Sequence, residues 1–256
     1  MPNYWAALAP GLVAGLAAGL LIWRLPERLA AGGFARRNFR GHTIPTACGL
    51  AIIGGGILGL SVAGIYHTGF EGPVAAMLAA LIGFGALGFA DDRWGTPAAK
   101  GLRGHLRKLL LERKFTSGLA KAAGGALVSL LIAGPLMGAF GPAIILQGAM
   151  IALSANMINL FDLRPGRAVA VSLVPLTVVL AALAATGAVQ EFACVLCIAA
   201  AIAAAYRRDA LGEVMLGDTG SNAMGACVGV SLLFACRTPG AQAAILTVLI
   251  AIHIVA

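Results

Sequence analysis

The sequence predicts an all-α membrane protein, a polytopic bundle of about nine transmembrane helices in one domain over residues 1–256. The chain is 60% hydrophobic and only 11% charged, and its mean hydropathy is +0.92. A soluble domain of this size is closer to half apolar and a quarter charged. The chain therefore lacks the polar groups to cover its own surface, which excludes a soluble globule and favours a protein solvated by a bilayer.

Apolar runs of roughly 20 residues, the length that crosses a bilayer, recur along the whole chain. We expect helices over about residues 5–23, 44–66, 73–90, 117–134, 142–160, 168–187, 190–206, 218–235 and 241–256. Glycine and proline mark the breaks between them, at Gly72-Pro73, Gly134-Pro135, Gly141-Pro142, Gly187 and Pro239-Gly240. In the first helix, Gly11, Gly15 and Gly19 form a ridge of small residues that predicts close packing against another helix.

The basic residues give the bundle an orientation. Every Lys and Arg of the 18 except Arg237 falls in loops on one side of the nine predicted spans. The positive-inside rule makes that side cytoplasmic. We therefore expect the N-terminus to lie outside and the main loops to lie in the cytoplasm.

Four aspartates fall at the cytoplasmic ends of different spans. Asp91 and Asp92 end the third helix, Asp162 ends the fifth, and Asp218 begins the eighth. A single acid at a helix end is usually a solvated residue or an N-cap, as Asp218 is in one interpretation. Four acids in Gly- or Asn-rich surroundings at one membrane face favour a shared functional site, since ionisable groups at span ends commonly face a water-filled cavity.

The residue types of this cluster indicate phosphate and metal chemistry. The adjacent carboxylates of Asp91 and Asp92 repel each other unless a cation or a raised pKa relieves the repulsion. Carboxylate sites that retain water suit Mg²⁺, which usually binds one or two carboxylates together with substrate phosphates. Lys121, Arg164 and Arg167 add positive charge nearby. Phosphoryl transfer needs this combination because most of its catalysis is positioning and charge neutralisation.

Residues 98–116 form a separate basic segment in the cytoplasmic loop after the third helix. Its leucines fall on one helical face, with basic residues around them. The pattern is typical of an amphipathic helix on the inner leaflet. A basic anchor for topology is the alternative, and either would attract anionic lipid.

Five passages in order along the chain form a set: Gly41-His-Thr-Ile-Pro-Thr-Ala-Cys-Gly49, Gly88-Phe-Ala-Asp-Asp-Arg93, Lys121, Asn156-Met-Ile-Asn-Leu-Phe-Asp162 and Leu216-Gly-Asp-Thr-Gly-Ser221. The set resembles the motifs of the polyprenyl-phosphate N-acetylhexosamine-1-phosphate transferase superfamily, which includes the phospho-N-acetylmuramoyl-pentapeptide transferases. The resemblance runs from the second to the eighth helix and includes the family's order of loops.

The resemblance implies an enzyme of the bacterial cytoplasmic membrane. It would transfer a sugar-1-phosphate from a nucleotide-diphosphate sugar, with a UDP-sugar as the expected donor, to a polyprenyl phosphate. The implied cofactor is Mg²⁺, with Mn²⁺ as the alternative ion. Asp91, Asp92 and Asp218 would be catalytic, and Asp218 and Asp92 would bind the metal. The residues implied to contact phosphate or substrate are His42, Lys121, Asn156, Asn159, Asp162, Arg164 and Arg167.

The chain departs from the family pattern where relatives bind the donor. Relatives continue the Asn motif with Asp-Gly-Leu-Asp-Gly, but here Pro165 replaces the second aspartate, so the nucleotide base is open. Arg164 and Arg167 are expected either to hold a diphosphate or an acidic sugar, or to act only as topology anchors. His42 replaces a common lysine. The family's His-rich loop near the last helices is also missing, so we expect a short family member or a truncated sequence.

Two other functions stay open at this stage. The departures favour a catalytically inactive relative that serves as a membrane assembly subunit, although such a subunit would not need Asp91, Asp92 and Asp218. A lipid-linked transporter or flippase is the other alternative, but transporter sites tend to lie near the bilayer midplane. Membrane lipids and a second copy of the chain are expected partners, and nucleic acid is not.

Overall fold

The computed structural model describes residues 5–68, 71–95 and 117–255. Within these ranges the chain forms helices joined by short connections. They are α1 (Trp5–Ala31), α2 (Leu50–Ala63), α3 (Pro73–Trp94), α4 (Ser117–Leu131), α5 (Pro142–Phe161), α6 (Arg167–Thr186), α7 (Val189–Ala210), α8 (Gly217–Ala235) and α9 (Pro239–Val255). A π-helical turn extends α2 over Gly64–Thr68, and another extends α4 over Ile132–Leu136. The amphipathic helix predicted for residues 98–116 lies outside the described residues.

Each predicted apolar run is helical over most of its length, which confirms an all-α bundle. Six of the helices, α1 and α3 to α7, are long and apolar enough to cross a membrane. The predicted breaks have clear causes at two helix starts, where Gly72 and Gly141 adopt positive φ angles and a proline follows as the first helical residue. The chain is therefore a multi-pass membrane protein, while the count of nine spans and the orientation stay predictions.

The region before α2 differs from the prediction, because a helix was expected from residue 44. A two-stranded antiparallel hairpin occupies it instead, with β1 at Ala35–Arg37 and β2 at Thr43–Pro45. Pro45 disfavours helix in the residue before it. The backbone N–H groups of Cys48 and Gly49 then donate to carbonyls just before α8. Helix α2 can start only after these contacts, at Leu50.

Helix α8 lies at the centre of the bundle. It packs mainly against α3, α5 and α6, and all but three of its 19 residues are buried. A helix surrounded by other helices does not have to be as apolar as one that faces lipid, which is why α8 can begin with the polar sequence Asp218-Thr219-Gly220-Ser221-Asn222. This arrangement places a polar helix start inside the bundle, where side chains of neighbouring helices can contact it.

Small residues allow this close packing. The ridge at Gly11, Gly15 and Gly19 of α1 faces Leu196, Ala200 and Ala204 of α7, which confirms the predicted helix contact. At the start of α8, a Cβ on Gly88 of α3 would overlap the backbone of Asp218, and a Cβ on Gly49 would overlap Gly220. Glycine at these positions therefore lets α3 and the chain before α2 touch the beginning of α8.

Candidate functional site

Three helices bring two acids and a lysine together at the start of α8. Lys121 of α4 forms an ion pair with Asp218 of α8, and its Nζ lies 3.6 Å from Oδ2 of Asp91 of α3. The carboxyl groups of Asp91 and Asp218 thus face the same ammonium group. Their side chains are 25% and 28% exposed and that of Lys121 is 21% exposed. With Asp92, these residues form what we call the carboxylate cluster, and a ligand can reach it from solvent.

Asp92 has different contacts from its neighbour Asp91. Its Oδ1 accepts a hydrogen bond from the backbone N–H of Asp218 at 3.1 Å. Its Oδ2 accepts hydrogen bonds from the backbone N–H of Thr219 at 2.9 Å and from the Thr219 hydroxyl at 2.5 Å. The two backbone donors belong to the first turn of α8, where N–H groups have no partner within the helix, so Asp92 caps that helix from a neighbouring one. The contact fixes the position of the Asp218 backbone relative to α3.

A second contact joins α8 to the Asn motif of α5. The Ser221 hydroxyl is 3.1 Å from Oδ1 of Asn159, and it also bonds to the carbonyl of Gly217 one turn earlier. The Asn222 side chain donates to the carbonyl of Asp218 at 2.7 Å. Asn156, by contrast, is exposed and makes no side-chain hydrogen bond within the described ranges. The structure therefore brings Asn159 to the cluster but does not connect Asn156 to it.

Asp162 follows α5 and lies beside the cluster. It lines a narrow cleft of about 50 Å³ together with Asp209, a buried acid at the end of α7. Oδ2 of Asp209 accepts a hydrogen bond from the N–H of Gly166, which fixes the loop between α5 and α6. Burial, and then the negative charges of Asp209, Asp218 and Asp92, raise the pKa of Asp162 to about 8. Asp162 is therefore protonated at neutral pH unless a cation binds nearby.

The other predicted phosphate-binding residues lie in a second cleft. His42, Arg164 and Arg167 line a polar cleft of about 380 Å³, together with Arg40. We call these four residues and their surroundings the basic cleft. It shares part of its wall with the narrow cleft that Asp162 lines. The predicted site residues thus form two neighbouring groups, an acidic one around Asp218 and a basic one around Arg164.

The acidic group offers few ligands to a divalent cation. Within the described ranges, no group of three or more His, Cys, Asp or Glu side chains is arranged to hold a metal. Mg²⁺ needs only one or two carboxylates when substrate phosphates and water supply its remaining ligands. Asp91 and Asp218 could supply these carboxylates, with Lys121 contacting an Oδ2 atom of each from one side. The oxygens of Asp92 are already bonded to α8.

Sequence reasoning did not identify several residues that hold this region together. They are Thr219, which donates to Asp92; Ser221, which contacts Asn159; Asp209, which fixes the loop before α6; and Arg40 of the basic cleft. Asp209 carried the clearest signal, since it is an acid at the end of an apolar run beside two arginines. Thr219 and Ser221 lie inside a quoted motif, but their partners could be known only from the packing of α8.

Comparison with known proteins adds no relative. No protein-family model matches the chain, and no curated protein matches it. The family resemblance described above therefore depends on the five sequence passages alone.

Proposed function

We propose that this protein is a membrane phosphoglycosyl transferase, which moves a sugar-1-phosphate from a nucleotide-diphosphate sugar to a polyprenyl phosphate at the cytoplasmic face of a bacterial inner membrane. The single observation that carries the proposal is the convergence of Asp91, Lys121 and Asp218 from three helices. Two residues that the resemblance implies are catalytic, Asp91 and Asp218, thus share the lysine that it implies contacts phosphate, and all three are partly open to solvent. Two carboxylates and one ammonium group suit phosphoryl transfer better than a structural role, because a structural ion pair needs only one acid.

The reaction exchanges one phosphorus–oxygen bond for another. An oxygen of the polyprenyl phosphate attacks the phosphorus that carries the sugar, and the bond from that phosphorus to the bridging oxygen of the donor breaks. The nucleoside monophosphate leaves with the electron pair, and the lipid retains a diphospho-sugar. The Asp91 carboxylate would position the lipid phosphate or accept its proton, and Lys121 would neutralise charge on the transferred group.

Mg²⁺ fits this site if Asp218 and Asp91 hold it together with the substrate phosphates, and Mn²⁺ would fit the same oxygen ligands. Such an ion supplies charge neutralisation at the phosphates. The family resemblance implied that Asp218 and Asp92 bind the metal, and that assignment stays a prediction. The contacts of Asp92 with Asp218 and Thr219 favour a positioning role for it.

Asn159 and Asp162 would orient the donor diphosphate, because both border the cluster on the side of the loop between α5 and α6. A UDP-sugar is the expected donor, although Pro165 leaves the base open. Asp162 is protonated at neutral pH, so it can donate a hydrogen bond to a phosphate oxygen, and a bound cation would convert it to an acceptor.

The proposal is tested with the purified chain, polyprenyl phosphate, Mg²⁺ and a panel of nucleotide-diphosphate sugars that vary in base and sugar. We expect release of the nucleoside monophosphate with at least one donor, together with a lipid-linked diphospho-sugar detected by mass spectrometry. Asp218→Asn and Asp91→Asn should abolish both products without lowering the thermal unfolding midpoint. Glu71→Gln is the matched control, because it changes an exposed acid just before α3, at the opposite end of that helix from Asp91.

The same panel separates the alternatives. Full activity in Asp218→Asn would contradict the assignment of the cluster. A blank panel, with the protein folded, would favour the inactive assembly subunit instead.

A further inference from the structure

The basic cleft contains more positive charge than its surroundings balance. Its lining comes from three segments: the turn of the β1–β2 hairpin, the loop between α5 and α6, and the end of α7. The residues are Asn38, Phe39, Arg40, His42, Arg164, Pro165, Arg167, Ala210, Leu211 and Gly212. None of these is acidic. In the part of the chain that the structure describes, no ion pair within 4 Å involves Arg40, Arg164 or Arg167.

The ring of Phe39 contacts two of these charges. The guanidinium carbons of Arg40 and Arg164 lie 5.1 Å and 5.0 Å from the centroid of its ring. Each contact is favourable because the ring face is electronegative. Both contacts keep positive charge at the wall of the cleft, and an anion bound in the cleft would be attracted by it. Guanidinium groups suit phosphate because their planar N–H donors can bind two oxygens at once.

The basic cleft adjoins the narrow cleft. Asn38, Phe39, Arg164, Pro165 and Gly212 line both it and the narrow cleft that contains Asp162. Asp162 in turn lies near enough to Asp218 and Asp92 for their charges to act on it. Asp162 is therefore the residue that links the two groups, and a ligand long enough to pass it from the cluster would place a second charged group in the basic cleft.

We propose that the basic cleft is a separate binding site for an oxyanion of the phosphate class. The site uses Arg40, His42, Arg164 and Arg167, and Phe39 holds two of the arginines in place. The oxyanion could come from two sources. One is an acidic donor whose second anionic group reaches the cleft, and only this source rests on the proposed function. The other source is the phosphate of an anionic lipid headgroup. For a donor, the cleft would select substrates with a negative charge beyond the diphosphate.

The test measures binding directly and uses no donor. The full chain in nanodiscs of phosphatidylcholine is titrated with inorganic pyrophosphate by calorimetry. We expect saturable binding that weakens as salt is raised, since the attraction is between exposed charges. The double variant Arg164→Gln/Arg167→Gln should bind about tenfold or more weakly, the loss expected for removing charge-assisted contacts. Replacing both arginines with lysine should restore part of the affinity because the charge returns.

Arg24→Gln and Arg37→Gln provide matched controls, because both remove an exposed arginine that does not line the cleft. Their pyrophosphate affinity should equal that of the original chain. Asp218→Asn should also retain the binding, so loss of transfer in that variant reports on the proposed function and not on the cleft. A thermal unfolding scan of each variant checks that it is folded.

Nanodiscs that also contain phosphatidylglycerol distinguish the two sources. If affinity for pyrophosphate is unchanged in them, the site takes a soluble phosphate. If the affinity falls, and phosphatidylglycerol copurifies with the original chain but not with the double variant, the site takes a headgroup. Absence of saturable binding in phosphatidylcholine, or equal binding by the double variant, would overturn the proposal.

Discussion

Asp91 and Asp92 are neighbours in the sequence, but their carboxylates serve different partners. Asp91 faces Lys121 and Asp218, and it is open to solvent. Asp92 points to the first turn of α8 and accepts hydrogen bonds from Asp218 and Thr219. Successive residues on a helix are about 100° apart, so an adjacent pair of acids necessarily faces two directions. One acid is thus available to a substrate, while the other holds the helix that carries Asp218.

The Thr219 hydroxyl should be needed to hold Asp92 in place. Thr219→Val keeps the shape of the side chain and removes its hydrogen bond to a charged acceptor, which typically contributes about 1.5–3 kcal/mol. We expect a lower thermal unfolding midpoint and a reduced kcat with KM for the donor little changed, because Asp218 would be less well positioned. Thr219→Ser retains the hydroxyl and is the matched control. Equal effects of the valine and serine variants would show that the hydroxyl does not matter.

The raised pKa of Asp162 gives the protein a pH-dependent stability. The carboxyl has a pKa of about 8 when folded and about 3.8 as its ordinary value. Between these pH values Asp162 is protonated in the folded chain and ionised in the unfolded chain. The stability that the protonated carboxyl contributes is therefore complete below pH 3.8 and is lost as pH rises to about 8. In Asp162→Asn the side chain stays neutral at every pH. The free energy of unfolding should therefore fall less steeply with pH in this variant, by up to about 1.4 kcal/mol for each pH unit.

The measurement is the thermal unfolding midpoint in metal-free buffer across that pH range. The original chain should become less stable with rising pH, and the Asn variant should change less. Parallel pH curves for the two proteins would contradict the shifted pKa.

At the scale of elements, the candidate site is built on the start of α8. Residues from α3, from α5 and from the segment before α2 all contact that first turn. Interfaces of small residues between helices permit such approach, because backbones can touch where side chains are absent. The position of α8 is therefore set by close backbone packing as well as by hydrogen bonds, and a single added methyl group should disturb it.

Gly88→Ala should displace the start of α8. The new Cβ would overlap the backbone around Asp218, which cannot rotate away as a side chain can. We expect destabilisation of about 1–3 kcal/mol, as for other overpacked sites, and loss of transfer activity. Gly19→Ala is the control, since its Cβ would lie 4.0 Å from Ala204. The control should be neutral or slightly more stable, because alanine favours helix. Equal stability and activity in both variants would exclude the close contact.

At the scale of the whole molecule, the charge distribution predicts which end of the bundle faces the cytoplasm. In a Cys236→Ser background the remaining cysteines are buried. Single cysteines can then be placed at two highly exposed loop positions, Leu163 beside the site and Phe140 between α4 and α5. A membrane-impermeant maleimide applied to intact cells should label the cysteine at 140 and not the one at 163. Inside-out vesicles should reverse the pattern, and the opposite result would contradict the predicted orientation.

The sequence alone predicted the positions of the helices and most of the residues of the acidic group. Apolar runs about 20 residues long and glycine–proline breaks define helices by local chemistry alone, so their positions follow without knowledge of the packing. Asp91, Lys121 and Asp218 could be grouped because charge is scarce in this chain and alternating spans place their ends on one face. This grouping needed no distances. It needed only the order of the spans, which shows which helix ends lie at the same membrane face.

The remaining features depend on contacts between distant segments. The β1–β2 hairpin replaces the expected start of α2 because the chain near Pro45 pairs with the residues before α8. The capping role of Asp92 depends on the rotation of α3 about its own axis. The sequence of α3 does not reveal that rotation, because the helix is apolar on all sides. Arg40 is one of several cytoplasmic arginines, and only the folded hairpin brings it to Arg164 and Phe39.

Metal-dependent phosphoryl transfer at Asp91, Lys121 and Asp218 is the activity that we propose for this protein. The most direct measurement is the rate of nucleoside monophosphate release as Mg²⁺ is titrated, for the original chain and for Asp218→Asn, with the best donor from the panel. We expect the rate to rise saturably with Mg²⁺ in the original chain. In the variant the rate should be at least about 100-fold lower, which is the scale of losing one charge-stabilising group. Release that is independent of Mg²⁺, or that is equal in the two proteins, would contradict the proposed activity.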